Sequence, residues 1–178
     1  MSAAPMDVAV SPAEPAQLDL VLAILDEAAG WLASRGVEQW PARFRPEWVV
    51  EQVAAGYTWL AWVDGAAVGT VTLDWDDPLW TDGIGAGYVH RLAVRRGAAG
   101  LGRALLDWAG RATRQHGHDR LRLDCVARNR RLCRYYEAAG FAARGTALVG
   151  GAPGQRIAGG DRTLVARFEK VLDQRPLR

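Results

Sequence analysis

The stretch "YVHRLAVRRGAAGLGRALL", Tyr88 to Leu106, constrains the fold of this chain more than any other. Tyr88 to Val94 reads as a strand, and apolar residues at 101, 104, 105, 108, 109 and 112 then recur at helical spacing. Gly97, Gly100 and Gly102 lie at the junction. The order strand, glycines, helix leaves the first N–H groups of a helix unpaired beside the positive end of its dipole. With no Cβ in the way, a phosphate can approach them closely. Two readings follow: a turn that uses glycine only for positive φ, or an anion cradle.

The neighbouring residues narrow the anion. "GAAGLGRA", Gly97 to Ala104, has the outer glycines of a nucleotide P-loop, but Arg103 stands at the lysine position and Ala104 at the magnesium-binding hydroxyl position. Counting a dinucleotide fingerprint from Gly100 puts Leu105 where the third glycine belongs. Triphosphate hydrolysis and dinucleotide binding are both disfavoured.

Around this unit the pattern alternates. Apolar spacing from Leu18 to Leu32 predicts an amphipathic helix ended by Ser34 to Gly36, and a short helix follows Pro46 through Trp48 to Ala54. "YTWLAWV" and "AAVGTVTLDW" flank Asp64-Gly65, a two-residue hairpin signal. Trp75 to Gly87 reads as a long loop. Leu121 to Ala127 is a strand, and Asn129 caps a helix that Gly140 stops near Ala139. Two last strands flank a flexible hairpin loop at 150–160, and residues 1–15 form a first strand or a tail. The expectation is an α/β (α+β) fold over residues 1–178: one domain, a mixed sheet and about four flanking helices.

Composition excludes several classes. No apolar run of the 178 residues reaches bilayer length, and "MSAAPMDVAV" lacks a secretory pattern, which predicts a cytoplasmic protein without a membrane partner. The net charge of +2 argues against a dedicated nucleic-acid binder, although Lys170 is the only lysine and "RNRRLCR", Arg128 to Arg134, gathers forks suited to phosphate. Cys125 and Cys133 match neither a zinc nor a redox motif and read as packed thiols, and His90, His116 and His118 form no metal motif, so no metal is expected.

Two blocks resemble the GNAT superfamily of N-acetyltransferases, which move an acetyl group from acetyl-CoA to an amine. "VHRLAVRRGAAGLGRALL" is similar to that family's fourth strand, pyrophosphate loop and helix. "LRLDCVARNRRLCRYYEAAGF" is similar to its fifth strand, asparagine-led helix with a tyrosine, and Gly-Phe turn. The resemblance runs from about Ala16 to Glu169 and departs at Gly97, where the family usually has glutamine or arginine. It implies a mostly antiparallel sheet splayed between strands 4 and 5.

The resemblance also implies site residues. Leu92, Ala93 and Val94 would meet the pantetheine arm through backbone groups, and Arg96, Gly97, Ala98, Ala99, Gly100, Leu101, Gly102 and Arg103 would hold the pyrophosphate. Asn129 and Arg131, with Arg128, Arg130 and Arg134 as further candidates for the 3′-phosphate, would lie near CoA, and Arg96 or Arg103 would compensate for Gly97. Tyr136, seven residues after Asn129, is the general acid, and Tyr135 the core aromatic. His90 is the candidate base, ahead of Asp124 and Asp82. Trp31, Trp40, Asp82 and Tyr88 are expected at the acceptor amine, in a region that also offers Glu38, Phe44, Asp76, Asp77 and Trp80. The partners are acetyl-CoA and a small amine, with a homodimer left open and a catalytically silent acyl-CoA sensor of the same fold as the alternative.

Overall fold

The structure, a computed structural model, describes residues 8–37, 39–98, 100–150 and 162–173. In chain order it comprises β1 (Ala9–Pro12), α1 (Leu18–Ser34), α2 (Val50–Ala54), β2 (Thr58–Val63), β3 (Ala66–Asp74), β4 (Gly87–Val94), α3 (Leu101–Gln115), β5 (Arg120–Val126), α4 (Arg130–Ala138), β6 (Ala142–Val149) and β7 (Thr163–Val171). The seven strands form one sheet in the order β1-β2-β3-β4-β5-β7-β6. Every ladder is antiparallel except that between β4 and β5. The mixed fold and the four helices agree with the sequence, and residues 9–12 are a strand on the sheet edge. The hairpin loop expected at 150–160 lies, from residue 151 onward, outside the described residues. No helix among the described residues is long and apolar enough to cross a membrane.

Local chemistry explains the main turns. Asp64 and Gly65 both take positive φ, 50° and 77°, the twist that joins β2 to β3 with two residues. On α3 the buried stripe is Leu101, Leu105, Leu106, Ala109, Gly110 and Thr113, rotated slightly from the predicted face because Trp108 leans out onto Trp59, 4.9 Å between ring centroids. One core lies between the sheet and α3 and α4, around Leu105, Leu123, Tyr136 and Phe168. The other lies under α1 and α2, around Val21, Ile24, Leu60 and Ala93.

The helix α3 presses against the start of β4. A Cβ at Gly87 would meet Thr113 Oγ1 at 2.1 Å, and Thr113 is fully buried. That contact is what glycine permits there. From this closed end β4 and β5 share three residue pairs, Gly87 with Leu121, Tyr88 with Arg122 and Val89 with Leu123, and then part. On its other side β4 carries a bulge: Thr70 faces Ala93 and Thr72 faces His90, so Arg91 and Leu92 oppose Val71 alone, and Arg91 takes φ 47°.

The closed end is locked by a buried arginine. Arg122 on β5 is 0% exposed; its Nε donates to Glu169 Oε2 at 2.8 Å, and its two Nη groups fork onto Asp82 at 3.0 and 2.6 Å. Its guanidinium sits 4.3 Å from the Trp80 ring centroid, and that of Arg167 5.2 Å. Arg144 completes the pairing of Glu169 at 3.2 Å. The loop between β3 and β4 is thereby fastened to β5. Hydrogen bonding from Arg122, then from the Ile84 N–H, holds the Asp82 carboxyl below its ordinary range. That contribution is complete above about pH 4 and is lost as pH falls through the lower native value.

Two substitutions test this frame. Gly87→Ala should destabilise by about 1–3 kcal/mol in chemical denaturation, with most of the loss recovered in a Gly87→Ala, Thr113→Ala double variant. Arg122→Met leaves the buried Glu169 carboxylate with Arg144 alone and should cost about 3–5 kcal/mol, whereas Arg122→Met with Glu169→Leu should be far milder.

Candidate functional site

Where β4 and β5 part, a cleft of about 1060 Å³ opens between α1, the two strands, the glycine loop and α4. Beyond Val89, β4 has no β5 partner among the described residues, so its edge from His90 to Val94 faces the cleft. This edge runs directly into the glycine loop. Gly97 and Gly100 take φ 88° and 83° with open space where a Cβ would be, so glycine serves backbone conformation there. Gly100 is the N-cap of α3; no side chain caps that end and its first turn holds no acid. These are the attributes of an anion-binding helix terminus.

The side chain missing at Gly97 is answered from another element. Arg95 donates through Nη1 to Glu27 Oε2 of α1 at 2.5 Å and through Nε to the Ala67 carbonyl at 3.0 Å. The Arg96 N–H donates to Glu27 Oε1 at 3.2 Å. Glu27 thus braces the loop, a pairing across 68 residues that no local motif signals. Gln39 plays a similar part at the end of β5, where its Oε1 accepts from the Val126 N–H and from Asn129 Nδ2, both at 3.2 Å. Asn129 in turn caps α4 by accepting from the Leu132 N–H.

The cleft is also lined by acidic and aromatic side chains. Trp31, Trp40 and Trp48 line it with Glu47, Glu51, Asp74 and Asp76. Deeper in, Asp77, His90 and Asp124 converge, one ligating atom of each lying within 4.8 Å of the others. His90 Nε2 is 3.7 Å from Asp77 Oδ2. An amine arriving as an ammonium meets opposite charge and ring faces here.

Tyr136 reaches the cleft from α4 and is the more buried of the two tyrosines, packed against Phe141 and Phe168 with centroids 6.0 and 5.8 Å away. Burial pushes its phenol well above the ordinary value, with nearby Cys125 and Asp124 acting in the same direction. The group stays protonated. Tyr135, expected in the core, is instead 39% exposed at the cleft beside Gly102, because α4 turns the next residue inward. Behind them Cys125 and Cys133 are buried free thiols 3.6 Å apart, and burial raises the Cys125 thiol out of its reactive range.

Most of the residues expected at the site are brought together: Trp31, Trp40, His90, Leu92, Ala93, Val94, Arg96, Gly97, Ala98, Gly100, Gly102, Asn129, Arg131 and Tyr136 all line the cleft. Several do not. Asp82 and Tyr88 lie outside it, because Arg122 takes the Asp82 carboxylate and lies 3.4 Å from the Tyr88 hydroxyl. Trp80 serves the same cluster, and Phe44 is core, edge-on to Trp40 and Trp48. Leu101 is fully buried, and Arg103 turns away to Asp107 and the Ala138 carbonyl. Arg128, Arg130 and Arg134 are likewise off the lining. Ala99 and Glu38 lie outside the described residues.

Comparison with known proteins follows the same outline. The acetyltransferase (GNAT) family matches residues 23–141. YesJ, an uncharacterized N-acetyltransferase of Bacillus subtilis, is 30% identical over 142 residues, 73% of this chain and 79% of the relative. A GNAT-family acetyltransferase structure from Listeria monocytogenes superposes with a TM-score of 0.74 at 22% identity, covering 97% of this chain and 99% of that one. YncA of Salmonella typhimurium, solved with its cofactor acetyl-CoA, gives 0.65 at 16% identity over 97% and 98%. The two structures share the fold, and the family match over most of the chain carries the assignment: this protein belongs to the GNAT acetyltransferase family.

Proposed function

We propose that this acetyltransferase takes its acetyl group from acetyl-CoA and passes it directly to a small primary amine. The observation that carries the reading is the continuous run from the open β4 edge into the uncapped N-terminus of α3. A pantetheine arm is a chain of amides, and an unpaired strand edge is a row of matching donors and acceptors. A pyrophosphate at the end of that arm then falls on the glycine loop and the helix dipole. Arg96 and Arg131 line the same cleft and suit its phosphates.

The chemistry follows from this orientation. A backbone N–H near Ala93 or Val94 polarises the thioester carbonyl and receives the oxyanion; a fixed donor of this kind contributes about 3–4 kcal/mol. The neutral amine attacks after losing its proton to His90, the base nearest the open edge. The tetrahedral intermediate, an oxyanion on carbon with a positively charged nitrogen, then expels CoA as a thiolate, and the proton left on the new amide nitrogen passes to that sulfur. Tyr136, kept neutral by burial, donates a hydrogen bond to the departing sulfur. Since its phenol lies far above a thiol's value near 8.5, stabilisation by hydrogen bonding outweighs complete proton transfer. The acid-lined, tryptophan-walled end favours a cationic acceptor, with Trp31 and Trp40 as its contacts.

Calorimetric titration should show micromolar binding of acetyl-CoA and none of ATP or NAD, and an amine panel should give thiol release. A protein that does neither is not this enzyme. Glu27→Ala should weaken acetyl-CoA binding about fivefold to tenfold by unbracing the loop. Tyr136→Phe should leave that affinity within about threefold and lower kcat by about 100-fold; unchanged turnover would remove Tyr136 from the mechanism.

A further inference from the structure

The loop between β3 and β4 has an acidic residue that is not spent on the surface. Asp77 is buried, its side chain 2% exposed, although its neighbours Asp76 and Pro78 are exposed. Burying a carboxylate is costly unless its charge is met. Its two oxygens are used differently. Oδ1 accepts the Leu79 N–H at 2.9 Å, while the Asp77 carbonyl accepts the Trp80 N–H at 3.0 Å, closing a small turn. That turn aims Oδ2 at His90, whose Nε2 lies 3.7 Å away. The turn is fixed in place, because the Trp80 ring rests on Arg122 and Arg167 and Asp82 is forked onto Arg122.

We propose that Asp77 is a positioning residue for His90: it orients the imidazole and stabilises the imidazolium formed when His90 takes the acceptor's proton. The inference rests on the acetyltransfer reading above. In the step, an N–H bond of the substrate ammonium breaks and an N–H bond forms on the imidazole, so the positive charge moves from substrate to His90. The Asp77 carboxylate offsets it there. The amine keeps its lone pair for the thioester, and His90, 17% exposed, later returns the proton to water. Asp77 from the loop and Asp124 from β5 lie beside the imidazole; Asp74 from the end of β3 and Arg91 from β4 itself line the same cleft. The two carboxylates beside the imidazole favour its charged form.

Only three histidines are present, which makes the test direct. NMR titration of their imidazoles, with His90→Gln for assignment, should show the His90 midpoint falling by about one pH unit in Asp77→Asn, with His116 and His118 unmoved. Asparagine keeps an oxygen for the Leu79 N–H; should that variant fail to fold, Asp77→Ser keeps one too and should give the same shift. With an amine substrate from the thiol-release panel, the acid limb of kcat/KM should move down by the same amount. The kcat should fall about 10- to 100-fold and KM for acetyl-CoA stay within about twofold. A merely structural Asp77 would lower activity at every pH without moving the limb. An unmoved His90 midpoint in either folded variant overturns the proposal. So does a His90 signal in the native protein that shifts on adding EDTA, which would make Asp77, His90 and Asp124 a metal site. Failure of the native protein to bind acetyl-CoA, read separately by calorimetry, would instead sink the enzymatic reading.

Discussion

Everything about this site depends on two parallel strands that begin together and then separate. Backbone N–H and C=O groups must be paired wherever water is excluded, so a strand edge that opens inside a fold needs water or a ligand along it. After Val89 the edge of β4 lies open in this way, while β5 continues its antiparallel ladder with β7 from Arg120 to Val126. The opening is held from both ends. Thr113 presses on Gly87 at the closed end, and Gln39 ties Val126 to Asn129 at the open one.

Arg122 is the polar counterpart of that arrangement. A fully buried guanidinium is tolerable only because carboxylates and a ring satisfy it, and those partners come from β7 and from the loop between β3 and β4. The same contacts that neutralise it set the path of the loop. Since Asp77 rides on that loop, a structural ion cluster on one side of the strand pairing determines which charge stands beside His90 on the other. The cleft consequently carries both signs of charge. Its lining combines Arg96, Arg131 and the α3 terminus with a group of carboxylates that includes Asp74, Asp76, Asp77 and Asp124.

The fold was legible in the sequence to a large degree because its signals are local. Asp64-Gly65 fixed a hairpin through positive φ values that such dipeptides take easily, Asn129 marked a helix start, and helical periodicity located α1 and the start of α3. The candidate site was legible where it is made of contiguous chain: Gly97, Ala98, Gly100 and Gly102 of the loop, and Asn129, Arg131 and Tyr136 at α4, line the cleft. It was misread where side chains choose among distant partners. Asp82 and Trp80 looked like substrate contacts because they are acidic and aromatic in a loop, and Arg122, which claims them both, is an unremarkable arginine in a strand pattern.

What the sequence by itself determined is the order of elements and the glycine loop, since both follow from short-range preferences of glycine, asparagine and apolar spacing. Only the tertiary structure decided which carboxylate faces His90, which tyrosine turns inward and what braces the loop in place of the side chain absent at Gly97. Those outcomes depend on contacts such as Glu27 with Arg95 and Asp77 with His90. Each joins residues on different elements, and the energy of such a pair exists only once the whole sheet has brought them within reach.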